Sequence, residues 1–323
     1  MSRLFLRELI VISIVGELII NKDAGNARLA KQMPQLITMI TANLTAYHEH
    51  QTHQPGDANL IVKQLVRDYR DHLADLQVIV VGGDGTLHDV VNGLQEMGQG
   101  QVPIGYIPTG TGNDFARANH IPLTYQKAAA SLATAEPRGV NVGRVSAKEF
   151  DTKYFINNFG IGIDALVVYA TNHSRSKNLM NKLKLGSLSY PLHFATALMH
   201  QKAFTASWGQ WALDHHDDRS YLCVFTNHPF LGGGVRLIMP EDDDRSALHL
   251  VIVHKEKWQV IGQALVALLK KKPDVPQIHH YQGPEFHFET EAGEHIQVDG
   301  EELQAPLHAT LTQVTQRFLL PTD

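Results

Sequence analysis

The chain has 323 residues, of which 43% are hydrophobic and 19% are charged, and its formal net charge is −5 at pH 7. This composition is typical of a soluble globular protein, the length suffices for two domains, and the negative charge gives no reason to expect a nucleic acid partner. One cysteine, Cys223, excludes a disulfide framework, and no run of 18 apolar residues predicts a membrane-spanning helix, so we expect a cytoplasmic protein.

The beginning of the chain predicts a strand, a loop and an amphipathic helix. Residues 1–16 match no motif, and no small-residue cleavage site follows their apolar stretch, so we expect no signal peptide. Leu18–Ile20 is apolar and strand-like, and the loop Asn21–Asn26 follows it. Between Leu29 and Leu44, apolar residues recur at the spacing of one helix face, which predicts the helix.

A second strand and helix are predicted next. The strand covers Thr45–Thr52 and ends in the turn Thr52–Ala58, with the sequence THQPGDA. Asp57 is a residue type that caps helix starts, so we expect it to cap a helix that runs to about Leu73.

A glycine-rich turn then follows a strand. The short run Val78–Val81 is rich in β-branched residues, which predicts a strand buried on both faces. It ends in Gly82–Thr86, whose glycines let the backbone approach a ligand and whose Thr86 is expected to cap the following helix. The free N–H groups of that helix start predict a phosphate site, at which Asp84 is suited to hold a metal. No Lys-Ser or Lys-Thr pair follows Gly85, so this is not a Walker A loop.

A second glycine- and threonine-rich loop, Ile107–Arg117, follows the strand-like run Val102–Ile107. Two such loops after successive strands lie on the same edge of a parallel sheet, where open α/β sheets bind ligands. A short helix is predicted at Tyr125–Ala135. The alternation of strands and helices over residues 18–135 predicts a doubly wound parallel sheet.

Beyond Pro137–Gly139, which we expect to act as a hinge, short apolar runs separated by turns predict an antiparallel β domain. Phe159–Ala165 contains Gly-x-Gly-x-x-Ala, the form of a dinucleotide fingerprint. The acidic residue expected about 20 positions later is absent, which argues against a dehydrogenase.

The motifs GGDGTLHDVVNG (Gly82–Gly93) and PTGTGNDFAR (Pro108–Arg117) resemble the diacylglycerol kinase catalytic domain family, specifically the soluble bacterial lipid kinases related to sphingosine kinases. The resemblance runs from about Leu18 to the C-terminus. It implies an α/β nucleotide-binding domain similar to those of NAD kinase and phosphofructokinase, followed by an antiparallel β-sandwich. We expect residues 1–137, with a return at about 306–323, to form the first domain, and residues 138–305 to form the lipid-substrate domain.

The resemblance also implies ATP and Mg²⁺ as cofactors, bound near the cleft between the domains. The predicted cofactor-binding residues are Asn21, Thr52, Gly82, Gly83, Asp84, Gly85, Thr86, His88, Gly110, Thr111, Asn113 and Asp114. Asp84 and Asp299 are the predicted Mg²⁺ ligands. Two positions depart from the family pattern: Lys22 replaces a proline, and His88 stands where the family more often has asparagine.

Val298–Glu301 (VDGE) matches the family motif that carries the catalytic base. The predicted catalytic residues are Glu301 as base, Asp299 as its assistant or as a metal ligand, and Asp84 as the organiser of Mg²⁺. The resemblance places Asn157 and Asp164 on the cleft. The acidic loop Met239–Ala247 resembles a structural Mg²⁺ loop but lacks its glycine, so a cation site and a solvated loop both stay open there.

Residues 171–213 carry five Lys or Arg residues and no Asp or Glu. A basic amphipathic segment in an acidic protein suits contact with anionic lipid, although a pair of core helices with solvated lysines is an equal alternative. Peripheral contact with the inner membrane face and a homodimer both stay open.

The predicted reaction is ATP-dependent phosphorylation of a lipid hydroxyl, with diacylglycerol as the first choice of acceptor. One alternative is an NAD kinase or phosphofructokinase type of enzyme with a soluble acceptor. Another is a catalytically idle regulator that binds lipid or nucleotide.

Overall fold

The computed structural model describes residues 15–22, 27–42, 44–163, 165–166, 201–231, 234–255 and 278–322. Four parallel strands begin the fold: β1 (Val15–Asn21), β2 (Ala46–Thr52), β3 (Leu76–Gly82) and β4 (Ile104–Pro108). They lie in the order β2-β1-β3-β4. β1 and β3 are buried almost throughout, as expected for central strands of a parallel sheet covered on both faces.

Helices connect these strands and bury their apolar faces on the sheet. They are α1 (Ala27–Thr41), α2 (Asp57–Asp68), α3 (Asp84–Glu96), α4 (Asp114–Ala118) and α5 (Tyr125–Ser131). Two predicted helix ends were wrong. The α2 helix ends at Asp68 because residues 73–75 form a separate 3₁₀ turn, and α5 gives way to a second 3₁₀ turn, Leu132–Thr134.

The remaining strands belong to the part of the chain after residue 135. They are β5 (Glu136–Ala147), β6 (Lys153–Phe155), β7 (Asn158–Gly162), β8 (Phe204–Gly209), β9 (His215–Thr226), β10 (Phe230–Leu231), β11 (Val235–Arg236), β12 (Leu248–His254), β13 (Ile278–Gly283), β14 (Glu285–Thr290), β15 (Glu294–Val298), β16 (Glu301–Ala305) and β17 (His308–Leu320). Apart from one parallel contact between β17 and β4, all of their described pairings are antiparallel. The predicted fold class is therefore confirmed.

The long strand β17 joins the two parts of the molecule. It pairs with β5 along the whole of the latter, with β14 on its other side, and with β4 in parallel where Phe318 meets Ile104. Fifteen strands of the described residues consequently form one hydrogen-bonded sheet. The predicted hinge at Pro137–Gly139 was wrong, because these residues lie inside β5 and are held by the partner strand. The division into domains at residues 137 and 305 stays a prediction.

Two main hydrophobic cores flank this junction. The first packs the parallel sheet against α1, α2 and α3, with aliphatic side chains such as Ile19, Val80 and Val91 fully buried. The second lies among the antiparallel strands and is rich in phenylalanine, including Phe225 and Phe288, whose rings meet edge to face at 5.3 Å. Aromatic pairs of this geometry add stabilisation beyond the apolar area that they bury.

Cys223 lies in the second core and is fully buried, as predicted from its apolar neighbours. No helix among the described residues is long and apolar enough to cross a membrane. Most of the predicted membrane segment, residues 171–200, and the cleft candidate Asp164 lie outside the described residues. The end of that segment forms strand β8 rather than a helix, and Trp208 is buried in the second core.

Candidate active site

The carboxyl ends of the parallel strands bring the first predicted site residues together. Asn21 and Thr52 end β1 and β2 directly opposite each other, and Gly82 ends β3 beside Pro108 of β4. The Asn21 side-chain amide donates a hydrogen bond to Thr86 Oγ1 at 3.1 Å. The sheet edge that the sequence predicts as a nucleotide site therefore exists as a contiguous surface.

The two glycine loops touch each other through their backbones. A Cβ added to Gly110 would lie 2.8 Å from the Cα of Gly83, so neither loop leaves space for a side chain there. The N–H of Thr109 donates to the carbonyl of Gly82 at 2.8 Å and ties the second loop to the first. Gly85, by contrast, is exposed and has no atom within 4 Å of a Cβ position, so its backbone is open to a ligand.

Two predicted helix caps were wrong. Helix α3 begins at Asp84, with Gly83 in the N-cap position, so Thr86 lies inside the first turn and its hydroxyl accepts from Asn21 instead. Helix α2 begins at Asp57, whose carboxylate reaches backwards and accepts from the N–H groups of His53 and Gln54. In both cases the polar side chain stabilises the loop before the helix rather than the helix start.

Asp84 occupies the point where the two loops meet. Tyr106 Oη donates to one of its carboxylate oxygens at 3.4 Å, and the N–H of Asp114 donates to the other at 3.3 Å. Burial, together with the charges of Asp114 and Asp299, raises the pKa of Asp84 to about 6, against the lowering effect of the N–H bond from Asp114. A divalent cation would relieve this repulsion, so the residues present fit a metal at Asp84.

Two unpaired polar atoms support a ligand at the second loop. Within the part of the chain that the structure describes, Asn113 Oδ1 and Thr109 Oγ1 are buried without a hydrogen-bond partner. The Asn113 backbone is left-handed, with φ 53°, and its amide nitrogen donates to the carbonyl of Gly110 at 2.9 Å. Buried polar groups are rarely left unpaired, so both atoms fit a polar ligand at this edge, with Thr111 exposed at the tip of the loop.

Arg117 supports the same loop from behind, and the sequence reasoning did not assign it a role. Its Nη1 donates to the carbonyl of Gly112 at 3.0 Å and lies 2.7 Å from a carboxylate oxygen of Asp114. The signal was present in the sequence, since an acidic and a basic residue three positions apart on a helix are neighbours. Arg117 therefore fixes Asp114 and the loop before it.

The turn between β15 and β16 carries the predicted catalytic carboxylates. Asp299 and Gly300 are both left-handed, with φ of 48° and 94°, as in the type I′ turn that suits a two-residue hairpin. The Asp299 carboxylate accepts the N–H groups of Ile156, Asn157 and Asn158 at 2.7 to 2.9 Å. It also lies 2.9 Å from His88 Nδ1, and its side chain is 0% exposed.

These four contacts change the role predicted for Asp299. Because both oxygens are occupied by protein donors and the side chain is enclosed, the structure offers no open coordination position there for Mg²⁺. Asp299 is instead an anchor that fixes the turn, and with it Glu301, to the loop between β6 and β7. Asn157 serves the same anchorage, since its N–H binds Asp299 and its Oδ1 lies 2.8 Å from His228 Nε2.

Glu301 is the carboxylate of this turn that faces the cleft. Its side chain is 47% exposed, with Oε2 3.1 Å from Lys153 Nζ and Oε1 3.7 Å from His88 Nε2. His88 is the main cause that lowers the pKa of Glu301 to about 2, with Lys153 adding to it against burial. Burial opposes a charge on His88, but the carboxylates of Asp299 and Glu301 raise the pKa of His88 to about 9.

His88 was predicted among the cofactor-binding residues, yet it is 4% exposed and lies behind Glu301. Lys153 was not predicted at all, because a lysine that precedes a short apolar run carries no motif. Both residues line a cavity of about 320 Å³ together with Glu301, Asp89 and the loop Gln54–Asp57. The cavity lies directly beside the candidate base.

The acidic loop Met239–Ala247 contains a 3₁₀ turn, Pro240–Asp242, and the Asp244 carboxylate accepts from the N–H and the hydroxyl of Ser246. Over the described ranges, no group of three or more His, Cys, Asp or Glu side chains is arranged to hold a metal ion. Mg²⁺ at a kinase site commonly uses one or two protein carboxylates with the remainder from phosphate and water, which Asp84 satisfies.

Comparison with known proteins finds a family model and several curated proteins that are similar to this chain. Residues 17–145 match the family model described as the diacylglycerol kinase catalytic domain. A Bacillus subtilis (strain 168) protein named "Putative lipid kinase YtlR" is 27% identical over 247 residues, which cover 74% of this chain and 77% of that protein. A diacylglycerol kinase of Staphylococcus carnosus (strain TM300) is 32% identical over 158 residues, or 49% and 48% of the two chains.

The fold is shared with a solved structure. The crystal structure of a "putative diacylglycerol kinase" from Bacillus anthracis str. Sterne has a TM-score of 0.73 and 22% sequence identity, over 95% of this chain and 97% of that one. At this level of identity the likeness concerns the fold. The matched family region contains both glycine loops and Asp84, whereas Glu301 and its anchor Asp299 lie outside it.

Proposed function

Residues 17–145 belong to the diacylglycerol kinase catalytic domain family, and from this premise we propose that the protein, a lipid kinase, transfers the γ-phosphoryl group of ATP to the hydroxyl of diacylglycerol, giving phosphatidic acid. One observation carries the proposal. The two glycine loops pack together around Asp84 at the carboxyl edge of the parallel sheet. The Asp299 carboxylate, which anchors the turn of Glu301, contacts His88 on helix α3, and this helix starts in the first of the two loops.

The nucleotide would lie along the edge formed by the ends of β1, β2, β3 and β4. The N-terminal N–H groups of α3 and the exposed backbone at Gly85 suit its phosphates. The unpaired Asn113 Oδ1 and Thr109 Oγ1 suit its polar atoms or bound water. Asn21 and Thr52 would hold the part of the nucleotide beyond the phosphates, since they lie opposite each other at the ends of β1 and β2, on the β2 side of this edge.

Asp84 would hold Mg²⁺, which would supply positive charge to offset the negative charge that develops during transfer. Burial and the nearby charge of Asp114 raise the pKa of Asp84, so a cation would stabilise its ionised form, and this supports the assignment. Asp299 takes no part in metal binding in this proposal, because its oxygens are already used by backbone donors.

Glu301 orients the lipid hydroxyl and accepts its proton. As the hydroxyl oxygen forms its bond to the γ-phosphorus, the bond from that phosphorus to the β,γ-bridging oxygen breaks, and the hydroxyl proton passes to the carboxylate. A pKa of about 2 makes Glu301 a weak base, so its main contribution is to align the hydroxyl, with proton transfer late in the reaction.

We also propose that the protein acts at a membrane surface, because its acceptor is a lipid. The basic, acid-free sequence of residues 171–213 supports this proposal, in which the protein would lie peripherally at the inner membrane face. A homodimer is compatible with the same arrangement.

The test is transfer of labelled γ-phosphate from ATP, with Mg²⁺, to lipids in mixed micelles. The panel contains diacylglycerol, monoacylglycerol, ceramide, sphingosine and phosphatidylglycerol, with NAD and fructose 6-phosphate as soluble controls. Label on diacylglycerol is the expected result. Label on a soluble control alone would move the protein to the sugar or NAD kinase type, and ATP binding without any label would favour an idle regulator.

The same assay tests the base. Glu301→Gln keeps the size of the side chain but removes its charge, so kcat should fall by roughly 100-fold or more while ATP affinity stays close to wild type. Glu302→Gln is the matched control, one position further along β16, and should keep the wild-type rate. Full activity of Glu301→Gln would remove this residue from the mechanism.

A further inference from the structure

One imidazole connects the phosphate loop to the candidate base. His88 lies on α3, one turn after Asp84, and its Nδ1 is 2.9 Å from Asp299 Oδ2. Its other ring nitrogen, Nε2, is 3.7 Å from Glu301 Oε1. The side chain is almost completely enclosed, and the Asn92 amide nitrogen also lies 3.3 Å from both of its ring nitrogens.

A side chain with two ring nitrogens suits this position, because Nδ1 lies beside Asp299 and Nε2 lies at an ion-pair distance from Glu301. The Asp299 carboxylate already accepts three backbone N–H groups, so it can only accept from Nδ1 as well. An imidazolium then directs its second N–H, on Nε2, towards Glu301. A shorter asparagine carries a single amide and would not span the distance between both carboxylates.

Helix α3 and strand β6 hold this arrangement in register. One turn beyond His88, the Asn92 amide nitrogen donates to the carbonyl of Tyr154 at 2.9 Å, and the N–H of Tyr154 donates back to Asn92 Oδ1 at 3.0 Å. The neighbour of Tyr154 is Lys153, which lies 3.1 Å from the second oxygen of Glu301. Glu301 is therefore held from two sides by groups that are fixed to the same helix.

We propose that His88 is a positioning residue for phosphoryl transfer: it sets the place of the Glu301 carboxylate relative to the phosphate loop at the start of α3. The inference rests on the proposed function, because it assigns His88 a role in aligning the lipid hydroxyl with the γ-phosphate. Lys153 limits the movement of the other Glu301 oxygen and completes the arrangement.

The experiment measures kcat, KM for both substrates and ATP affinity for His88→Ala, His88→Asn and wild type in the mixed-micelle assay. His88→Ala should lower kcat by about 10- to 100-fold, because displacement of an aligning group by about 1 Å has effects of this size. ATP affinity should change by less than about threefold, since the phosphate loop is untouched. The kcat of His88→Asn should lie between those of His88→Ala and wild type, because asparagine can keep the contact with Asp299 but not the one with Glu301.

The decisive measurement is a double-mutant cycle with Glu301→Gln. If His88 acts through Glu301, then His88→Ala should lower kcat in the wild-type background and have little further effect in the Glu301→Gln background. A role confined to folding would lower activity in both backgrounds. His216→Asn, an exposed histidine on β9, is the control and should match wild type.

The outcomes separate the two proposals. If wild type labels no lipid, the proposed function fails whatever His88 does. If wild type labels lipid but His88→Ala keeps kcat within about twofold, loses ATP binding in parallel with kcat, or shows independent effects in the cycle, the positioning role is refuted. Should His88→Ala fail to fold, as judged by its thermal unfolding, the cycle is run with His88→Asn and decides by the same criteria.

Discussion

At the scale of single residues, two carboxylates of one turn, Asp299 and Glu301, have different surroundings. Asp299 is enclosed by three backbone N–H groups and an imidazole, whereas Glu301, two positions later, is half exposed and faces a cavity. The first therefore fixes the turn and the second is available to a substrate. Motif matching assigns both residues to chemistry, but the donors around each one decide which of them can meet a ligand.

Asp84 illustrates how a functional residue can reduce stability. Its pKa is raised to about 6 from the ordinary 3.8, mainly by burial, so the folded state prefers the protonated carboxyl. Its contribution to stability is present below about pH 4 and is lost as the pH rises through 6. At neutral pH this cost is on the order of 2–3 kcal/mol.

We therefore predict that Asp84→Asn is more stable than wild type without nucleotide and metal. At pH 8 the free energy of unfolding should rise by about 1–3 kcal/mol, and the difference should vanish below about pH 4. Denaturant unfolding at several pH values measures this effect. The variant should be inactive in lipid phosphorylation, and an Asp84→Asn protein that is less stable at pH 8 would contradict the assignment.

At the scale of elements, the two glycine loops act as one unit. Each loop follows a parallel strand. Because these two strands, β3 and β4, pair directly with each other, the loops at their carboxyl ends are in contact. Gly83 and Gly110 make this contact possible because they lack a Cβ, and the N–H of Thr109 closes it. The phosphate surface thus depends on backbone packing between loops, with side chains such as Arg117 supporting it from behind.

We predict that Gly110→Ala disrupts this unit. The new methyl group would lie 2.8 Å from the Cα of Gly83, so one loop must move, at a cost of about 1–3 kcal/mol in unfolding free energy and a loss of ATP affinity. Thermal unfolding and ATP titration measure the two effects. Gly85→Ala, with open space around its Cβ position, is the control for stability and should stay within about 0.5 kcal/mol of wild type. Equal stability losses in both variants would contradict the packing argument.

At the scale of the whole molecule, β17 determines how the two parts lie against each other. It continues from the antiparallel strands into the edge of the parallel sheet, where the buried Phe318 ring lies 4.5 Å from that of Phe115 in α4. Helix α4 follows directly from the second glycine loop. The candidate active site therefore lies between two parts whose relation is fixed by a shared strand and by the Asp299 contacts across the cleft.

Phe318→Ala should consequently destabilise both parts together. Removal of a fully buried phenylalanine ring costs about 3–5 kcal/mol, and hydrogen exchange should show reduced protection in β3 as well as in β9. Leu123→Ala changes an exposed apolar side chain and should remain close to wild type. Loss of protection in the parallel strands alone would show that the parts unfold independently.

The sequence by itself determined the elements around the nucleotide edge. Hydrophobic periodicity and glycine turns are local signals, so the parallel strands, the helices between them and the adjacency of Asn21, Thr52 and Thr86 could all be predicted. The family was identified from the same local motifs, because long ordered runs such as GGDGTLHDVVNG depend on neighbours in the chain.

Only the tertiary structure decided which carboxylate anchors the turn and which one faces the cavity. The donors to Asp299 come from residues more than 140 positions earlier, and the imidazole of His88 comes from 211 positions earlier, so no local pattern could reveal them. The hinge predicted at Pro137–Gly139 failed for the same reason, because the strand that holds it, β17, lies at the other end of the chain. Local sequence sets what each segment can form, whereas long-range hydrogen bonds and burial set what each side chain can do.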